Sequence, residues 1–316
     1  MVHSWIQAAL GTSLGFGLAF SSNFVQAAIY DQNGNKIPDA EVNSAKVNWQ
    51  LLKAQGNQKY SGIGVLEVAN QPFCTAFLIN TAGQPQAPAY ALTNGHCYDP
   101  SAGLPGNNEI VVNHPSDMVF HLSHFVDSKR RDRAIPVRRV VYATMKSTDI
   151  AILELDITFK QLIQQGFTPL TLAPKTAQIS EPVEVIGVPI ADVNPALQFL
   201  HQAVCKIGQS VNLREASYHW ESSIRNHCSV VGGMSGSPMI SLKSNQVVGI
   251  INTGVDDQAL TQPTCSLNRP CEVNKDGKTT TLVKENYAQL ISKIPGCFNQ
   301  NGIFNLSSIS CQLEKP

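Results

Sequence analysis

Three segments of the sequence each carry a side chain that acyl-transfer chemistry needs. ALTNGHC places His96 at the end of an apolar run, STDIAILEL places Asp149 before another, and VVGGMSGSPMI places Ser235 among glycines. Acyl transfer uses a hydroxyl nucleophile, a base that takes its proton, and a carboxylate that orients and stabilises that base. Each segment alone is weak, because a Gly/Ser turn and an Asp before a strand are both common. Their joint occurrence in the order His, Asp, Ser is far more specific.

Short apolar runs alternate with turn signals from Tyr60 onwards, which predicts the strands that must position these side chains. The runs are rich in β-branched and aromatic residues and fall into two series. The first series is YSGIGVLEV, FCTAFLI, AYALTN, EIVVN, AIPVRRVVYA and DIAILEL, and the second is EPVEVIGVP, QFLHQAVCKIG, HCSVV, SPMISL and QVVGIINTG. Between them, ITFKQLIQQGFTPLTLA is expected to be a linker with a helical turn. Two such series favour two barrels or two sandwiches.

One helix is predicted near the C-terminus, over LVKENYAQLISKI. Its apolar residues fall at helical spacing and would form one face. They are Val283, Tyr287, Leu290, Ile291 and Ile294. The Pro-Gly pair that follows would end the helix, which we expect to pack on a barrel.

Composition excludes several classes of protein. The chain has 316 residues, of which 43% are hydrophobic, and its 23 Lys and Arg balance 23 Asp and Glu. A nucleic-acid binder would need a basic surface to neutralise phosphates, so no nucleic-acid partner is expected. A disordered chain would be more charged and less apolar. One large or two small folded domains are therefore predicted.

The N-terminus has the pattern of a secretory signal. WIQAALGTSLGFGLAF is apolar, and Val25 and Ala27 are the small residues that would precede a cut after Ala27. The start carries no Lys or Arg, so an uncleaved N-terminal anchor is the alternative. With residues 1–27 removed, the protein is expected to be secreted or periplasmic, with no stable membrane association.

The cysteine content favours an oxidising compartment. Eight cysteines allow about 105 pairings, and the simplest joins sequence neighbours. None lies in a Cys-x-x-Cys pair, so a zinc-ribbon or thioredoxin site lacks its spacing. An even number behind an export signal indicates four disulfides. The eight are Cys74, Cys97, Cys205, Cys228, Cys265, Cys271, Cys297 and Cys311.

Two local patterns resemble known motifs but lack their context. DQNGNKIPDAEV alternates Asp31, Asn33 and Asn35 like a calcium-binding loop. Its sixth position is Lys36 and its twelfth is Val42, which removes the Gly of the turn and the bidentate Glu. The N-terminal GTSLG matches the nucleophile motif of α/β-hydrolases, but no strand precedes it. We therefore expect no metal and no cofactor.

On these residues the chain resembles the trypsin/chymotrypsin-type serine proteases, in the bacterial branch near the glutamyl endopeptidases. FCTAFLI is similar to the strand that bears the first cysteine of the histidine loop. LTNGHC resembles TAAHC, TDIAILEL resembles NDIALLKL, and GMSGSP resembles GDSGGP. VVGIINTG is similar to the strand that walls the substrate pocket, and TLVKENYAQLI resembles the last strand and C-terminal helix. The resemblance spans residues 60–294.

The resemblance implies an all-β fold of two six-stranded antiparallel β-barrels, with the active site in the cleft between them and a C-terminal helix. Residues 28–58 would be an N-terminal extension or pro-segment. The first barrel would occupy residues 59–160 and carry His96 and Asp149. The second would occupy residues 161–296, and residues 297–316 would form a disulfide-closed tail.

The resemblance also implies a role for each site residue. His96 would act as general base and then general acid, and Asp149 would hold its tautomer. Ser235 would form the acyl-enzyme, and the N–H groups of Gly233 and Ser235 would form the oxyanion hole. A bridge between Cys74 and Cys97 would hold His96 in place.

Several positions depart from better-known members and bear on activation and specificity. Met234 stands where vertebrate digestive enzymes have an Asp that binds the new N-terminus, so activation by that route is not expected. The substrate-binding positions are Ser229, Asn252 and Gly254. Ser229 aligns with the base of the primary pocket, and Ile251 stands where glutamate-specific relatives have a His. A neutral, open pocket predicts an apolar or otherwise neutral P1 residue.

The sequence thus predicts a secreted, monomeric serine endopeptidase that acts on polypeptides. An inactive protease-like binding protein is one alternative, which the retained triad disfavours. An esterase that uses the same triad is the other.

Overall fold

The computed structural model describes residues 49–128, 133–191, 193–255, 261–283 and 285–316. The predicted signal sequence and the calcium-loop pattern lie outside the described residues. Across the described ranges, no helix is both long and apolar enough to cross a bilayer.

The first barrel is a closed ring of six antiparallel strands. Strand β1 (Trp49–Leu51) precedes this barrel in the chain, and the sheet of the barrel contains β2 to β9. These are β2 (Ile63–Val68), β3 (Gln71–Leu78), β4 (Pro88–Thr93), β5 (Ile110–Val111), β6 (His114–Pro115), β7 (Val119–Leu122), β8 (Ala134–Thr144) and β9 (Ile150–Thr158). The hydrogen-bonded order is β8-β7-β2-β3-β4-β9, and pairing of β9 with β8 closes the ring. Strands β5 and β6 pair with β8 outside it.

The second barrel closes in the same way. Its sheet contains β10 (Pro182–Gly187), β11 (His201–Glu215), β12 (Tyr218–Asn226), β13 (Pro238–Ser241), β14 (Val247–Gly254), β15 (Cys271–Val273), β16 (Thr279–Thr280) and β17 (Asn286–Leu290). The ring order is β10-β13-β14-β17-β12-β11, and β10 pairs with β11. Strand β1 also pairs with β11, with Trp49 opposite Ala203. The prediction of two six-stranded antiparallel barrels is confirmed.

Apolar side chains fill each barrel and the space between the two. Phe120 and Leu153 belong to the core of the first barrel, and Met239 to that of the second. A third cluster joins Phe77 of the first barrel to Ile250 of the second, and all five side chains are buried. Burial of one such side chain stabilises a fold by about 1.5–3 kcal/mol. The shared cluster therefore fixes the barrels against each other, and with them the loops at their boundary.

The predicted C-terminal helix is wrong. Residues Asn286–Leu290 form strand β17, between β14 and β12. Tyr287 and Ala288 are consecutive and both fully buried, so the segment is covered on two faces, whereas the predicted helix had one apolar face. Strand β17 also closes the ring, and those ladder hydrogen bonds outweigh the helical spacing. Only a single 3₁₀ turn, Pro295–Cys297, follows it.

The single α-helix among the described residues lies in the predicted linker. Helix α1 (Phe159–Gln164) begins at a capping box, in which the Thr158 hydroxyl accepts from the Gln161 N–H and the Gln161 side chain accepts from the Thr158 N–H. The other helical segments of the described chain are 3₁₀ turns. They are Gln58–Tyr60, Gly95–Cys97, Pro195–Leu197 and Pro295–Cys297.

Ten of the eleven predicted strand segments contain a strand, and HCSVV does not. Residues 227–231 form a loop in which the Asn226 side chain accepts from the Cys228 N–H and the Asn286 side chain donates to the Cys228 carbonyl. Side chains therefore satisfy this backbone in place of a neighbouring strand.

The four disulfides join sequence neighbours, as predicted. The bridges are Cys74–Cys97, Cys205–Cys228, Cys265–Cys271 and Cys297–Cys311. Within the tail that the last bridge closes, Phe298 contacts Tyr90 with ring centroids 5.1 Å apart. Phe304 lies 6.3 Å from Tyr142. The tail thus leaves the second barrel and packs on the first.

Candidate active site

His96 lies on a short turn that is fixed from both sides. The 3₁₀ turn Gly95–Cys97 follows strand β4, and the bridge from Cys97 to Cys74 ties it to β3. A Cβ atom at Gly95 would lie 2.0 Å from the Thr144 carbonyl oxygen. Only glycine allows the backbone to come this close, so Gly95 lets the turn that carries His96 pack directly against the Thr144 backbone.

Asp149 holds His96 through two hydrogen bonds. Its Oδ2 lies 2.7 Å from His96 Nδ1, and its Oδ1 accepts from the His96 backbone N–H at 3.0 Å. Asp149 precedes β9, which pairs with β4, and the Asn94 side chain donates to the Asp149 carbonyl at 2.9 Å. The side chains of His96 and Asp149 are both buried. The neighbouring strands thus bring together two residues that are 53 positions apart in the sequence.

This contact determines which ring nitrogen of His96 is available. A carboxylate can only accept, so Nδ1 carries the proton that faces Asp149. In the neutral ring, Nε2 is then the acceptor. Nε2 is buried and has no hydrogen-bond partner within the described ranges. The imidazole is therefore prepared to take a proton at Nε2.

Ser235 lies in a loop of consecutive turns before strand β13. The Met234 N–H donates to the Val231 carbonyl at 3.0 Å, and the Ser237 N–H donates to the Met234 carbonyl at 3.0 Å. The Gly236 N–H donates to the Ile251 carbonyl at 2.9 Å. These bonds tie the loop to strand β14 and leave Ser235 at its centre, with 3% of its surface exposed.

Both glycines that flank Ser235 adopt backbone angles that favour glycine. Gly233 has φ +92° and Gly236 has φ +87°. A Cβ at Gly233 would lie 2.5 Å from the Ile190 Cβ, and one at Gly236 would lie 2.0 Å from the Thr75 carbonyl oxygen. Among the described residues, no backbone carbonyl accepts from the Gly233 N–H. That donor is available to a ligand.

The predicted substrate-binding residues lie on two segments next to this loop. Ser229 follows Cys228, whose bridge to Cys205 joins the loop to β11. Asn252 and Gly254 belong to β14. Asn252 is buried, and neither atom of its side-chain amide has a partner in the described part of the chain.

Sequence reasoning missed a buried carboxyl group beneath this strand. Glu215 accepts from the Thr253 hydroxyl at 2.7 Å and from the Asn268 N–H at 2.8 Å. Burial raises the pKa of Glu215 to about 7, although the hydrogen bonds from Thr253 and Asn268 act in the opposite direction. A Glu just before a hairpin turn is usually solvated, so no local pattern indicates that Glu215 is buried.

A second missed residue is Thr75. It follows Cys74 in strand β3, is fully buried, and contacts the Ser235 loop of the other barrel. A polar residue inside the apolar run FCTAFLI was the only signal, and it does not identify the partner.

One group of possible metal ligands occurs in the described part of the chain, and it does not fit a metal. The atoms of Cys74, His96 and Cys97 lie within 4.8 Å of one another. The two sulfurs are joined in a disulfide and so provide no thiolate.

The sequence profile of the trypsin-like peptidase domain matches residues 74–250, more than half of the 316-residue chain. The chain belongs to the trypsin-like peptidase family. This trypsin-like peptidase is accordingly a hydrolase of the serine type, and peptides are its class of substrate. The matched range begins at Cys74 and contains His96, Asp149 and Ser235.

Solved serine proteases are similar to this trypsin-like peptidase at low identity. The Rv3671c protease from M. tuberculosis in its active form is 16% identical, with 100% of this chain and 97% of that chain covered and a TM-score of 0.46. A Glu endopeptidase in complex with MPD is 17% identical, with 77% and 90% covered and a TM-score of 0.47. The thermostable serine protease AL20 from an extremophilic microorganism is 15% identical, with 74% and 92% covered and a TM-score of 0.47. No curated protein sequence matches the chain significantly.

Proposed function

We propose that this trypsin-like peptidase is an exported serine endopeptidase that works through His96, Asp149 and Ser235. The observation that carries the proposal is the 2.7 Å contact between His96 Nδ1 and Asp149 Oδ2, while His96 Nε2 has no hydrogen-bond partner among the described residues. A buried histidine held in this tautomer by a carboxylate is the arrangement that a serine nucleophile needs.

The reaction proceeds in two halves. The Ser235 hydroxyl attacks the carbonyl carbon of the scissile bond while His96 Nε2 takes its proton. Collapse of the tetrahedral intermediate breaks the C–N bond, and the imidazolium gives that proton to the leaving amine. Water then attacks the acyl-enzyme by the same route and releases Ser235. Asp149 stays ionised throughout and stabilises the imidazolium.

The oxyanion of each tetrahedral intermediate binds to the N–H groups of Gly233 and Ser235. The left-handed backbone at Gly233 supports this role, as does the absence, within the described part of the chain, of a backbone carbonyl that accepts from its N–H. Loss of one such donor lowers the rate by about 10²–10³-fold in serine proteases.

The primary pocket accepts a neutral, preferably apolar, P1 side chain. Its proposed base is Ser229, and its wall runs along Asn252 and Gly254. Because all three residues are uncharged, none of them can form an ion pair with a basic or acidic P1 residue. Ile251 on the same strand is apolar and buried.

Export is part of the proposal. Four disulfides require an oxidising compartment to form, and residues 1–27 have the pattern of a signal sequence. The processed chain acts as a monomer on polypeptides.

A fluorophosphonate probe tests the nucleophile. It reacts with an activated serine, so purified, processed protein should be labelled and Ser235→Ala should not. Ser237→Ala is the matched control, because it removes a hydroxyl two residues away that has no hydrogen-bond partner among the described residues. Failure of the wild-type protein both to label and to cleave an unfolded protein would overturn the proposal and favour an inactive binding protein.

A peptide-library cleavage profile then separates peptidase from esterase. Cleavage after neutral P1 residues supports the proposed pocket. Labelling of Ser235 without cleavage of any peptide would favour an esterase. Cleavage restricted to Arg, Lys or Glu would contradict the assignment of the pocket.

A further inference from the structure

Every backbone and side-chain hydrogen-bonding group of Thr75 has a partner, and three of its four hydrogen bonds reach the second barrel. Its hydroxyl donates to the Gly233 carbonyl at 2.9 Å and accepts from the Val188 N–H at 3.0 Å. Its backbone N–H donates to the Ser235 carbonyl at 2.9 Å, and its carbonyl accepts from the Thr93 hydroxyl at 2.8 Å. Two of these four bonds hold the carbonyls of the residues whose N–H groups form the proposed oxyanion hole.

The direction of the Thr75 hydroxyl proton is fixed by its neighbours. A threonine hydroxyl has one proton to donate. Because the Val188 N–H already occupies an acceptor position, and the Gly233 carbonyl can only accept, the proton points to Gly233. Thr75 is fully buried, so water does not compete for this bond.

A fixed carbonyl at Gly233 restricts the N–H of the same residue. The two groups are connected only through φ and ψ, and glycine has the widest choice of both. The next side chain offers no polar anchor, since Met234 is fully buried in the apolar cluster of the second barrel. Within the second barrel, the Gly232 carbonyl accepts from the Ile190 N–H and the Met234 N–H donates to the Val231 carbonyl. The Thr75 hydroxyl adds the contact from the opposite barrel that stabilises the +92° conformation of Gly233.

We propose that Thr75 is a positioning residue that holds the Gly233 and Ser235 N–H groups in the oxyanion-binding arrangement from the opposite barrel. The inference rests on the proposed function, because it assigns a role to Thr75 in the same site. Thr75 touches no substrate atom. It acts through the two carbonyls, so the competence of the oxyanion hole depends on contact between the barrels.

The test compares Thr75→Val, which removes the hydroxyl and keeps the branched shape, with Thr75→Ser, which keeps the hydroxyl. Ser61→Ala is the control. The Ser61 hydroxyl is also buried, donates to the Gly166 carbonyl and accepts from the Thr168 N–H, but is bonded neither to the Ser235 loop nor to the turn that carries His96. All three are measured for kcat and KM on one peptide substrate, for thermal stability, and for inhibition by a peptide aldehyde.

Thr75→Val should lower kcat by about 10–100-fold, less than complete loss of a donor, with KM changed less than about twofold. Aldehyde affinity should fall by a similar factor, because the hemiacetal oxyanion occupies the same site. Thr75→Ser should restore both to within about threefold of wild type. Ser61→Ala should lower stability without this loss of kcat.

Three results would overturn the inference. These are an unchanged kcat in Thr75→Val, a loss of kcat with unchanged aldehyde affinity, or an equal loss in Thr75→Ser or Ser61→Ala. If Thr75→Val does not fold, Thr75→Ala is measured in its place, since alanine has no γ-methyl group to meet the Val188 N–H. Wild-type labelling by the fluorophosphonate separates the two proposals: without labelling the proposed function fails, and with labelling only the role of Thr75 is in question.

Discussion

Asp149 accepts hydrogen bonds from two different atoms of His96, the backbone N–H at 3.0 Å and ring Nδ1 at 2.7 Å. The first bond fixes where the residue lies and the second fixes how its ring is oriented and protonated. Each carboxylate oxygen has one of these tasks, so a side chain with a single acceptor oxygen cannot perform both.

Asp149→Asn should therefore leave the fold intact and lower kcat by about 10⁴-fold. If the amide oxygen accepts from the backbone N–H, the amide NH₂ faces Nδ1 and drives the ring proton to Nε2, where it blocks the base. Steady-state kinetics on a peptide substrate check this, with KM changed little. Asp127→Asn is the control, because the exposed Asp127 also accepts from a backbone N–H, that of Ala54 at 2.8 Å. A kcat within tenfold of wild type for Asp149→Asn would refute the assigned role.

Gly236→Ala should be more destabilising than an equivalent change at a solvent-exposed turn. At both Gly236 and Gly277 φ is positive, but only at Gly236 would the new Cβ meet the Thr75 carbonyl, at 2.0 Å. We expect about 1–2 kcal/mol for Gly277→Ala from backbone strain alone, and at least about 2 kcal/mol more for Gly236→Ala. Urea denaturation measures both. Equal losses of stability in the two variants would contradict this expectation. They would mean that the barrels move apart at Thr75 and make room for the new Cβ.

Glu215→Gln should remove a pH-dependent part of the stability. The pKa of Glu215 is raised from 4.5 to about 7 in the folded chain, so folding favours the protonated form. Its contribution is complete below pH 4.5 and is lost as the pH rises through about 7. The shift corresponds to about 3 kcal/mol.

Urea denaturation of both proteins between pH 4.5 and 8 checks this value. The stability of wild type minus that of Glu215→Gln should fall by about 3 kcal/mol across the range. The subtraction cancels groups that both proteins share, including His124, whose pKa burial lowers to about 4. Parallel curves for the two proteins would rule out a raised pKa at Glu215.

Replacement of both Cys297 and Cys311 by Ala should lower the free energy of unfolding by about 3 kcal/mol. The bridge closes a segment of 14-residue separation and holds Phe298 and Phe304 on the first barrel. Denaturation under oxidising conditions measures the loss. Ile309→Ala, at a fully exposed position of the same tail, should change the stability by less than about 0.5 kcal/mol. A loss below about 1 kcal/mol for the double variant would show that the tail packs without its bridge.

The strands and disulfides could be predicted because their signals are local, whereas the family resemblance implied the two barrels. Short β-branched runs bounded by turns predicted eleven strand segments, ten of which contain a strand, and neighbouring cysteines close short loops. The predicted His96 and Asp149 do lie in contact, because each is adjacent to one of two paired strands. The roles of Ser235, Gly233 and the pocket residues stay predictions.

The missed features depend on distant contacts. The helical spacing of residues 283–294 fits a strand followed by a turn equally well, and only the neighbours β12 and β14 decide between them. Thr75 and Gly233 are 158 positions apart, and no local pattern connects them. Glu215 lies under Thr253 for the same reason, since only the closed barrel brings β11 and β14 together.

The first and last described segments of the chain each pack on the more distant barrel. Strand β1 is hydrogen-bonded to β11 of the second barrel, and the tail beyond Cys297 covers Tyr90 and Tyr142 of the first. During synthesis the first barrel emerges before the residues that cover it. Its aromatic face stays open until residues 297–316 have been translated, so the first barrel reaches its final packing only after the second barrel has emerged.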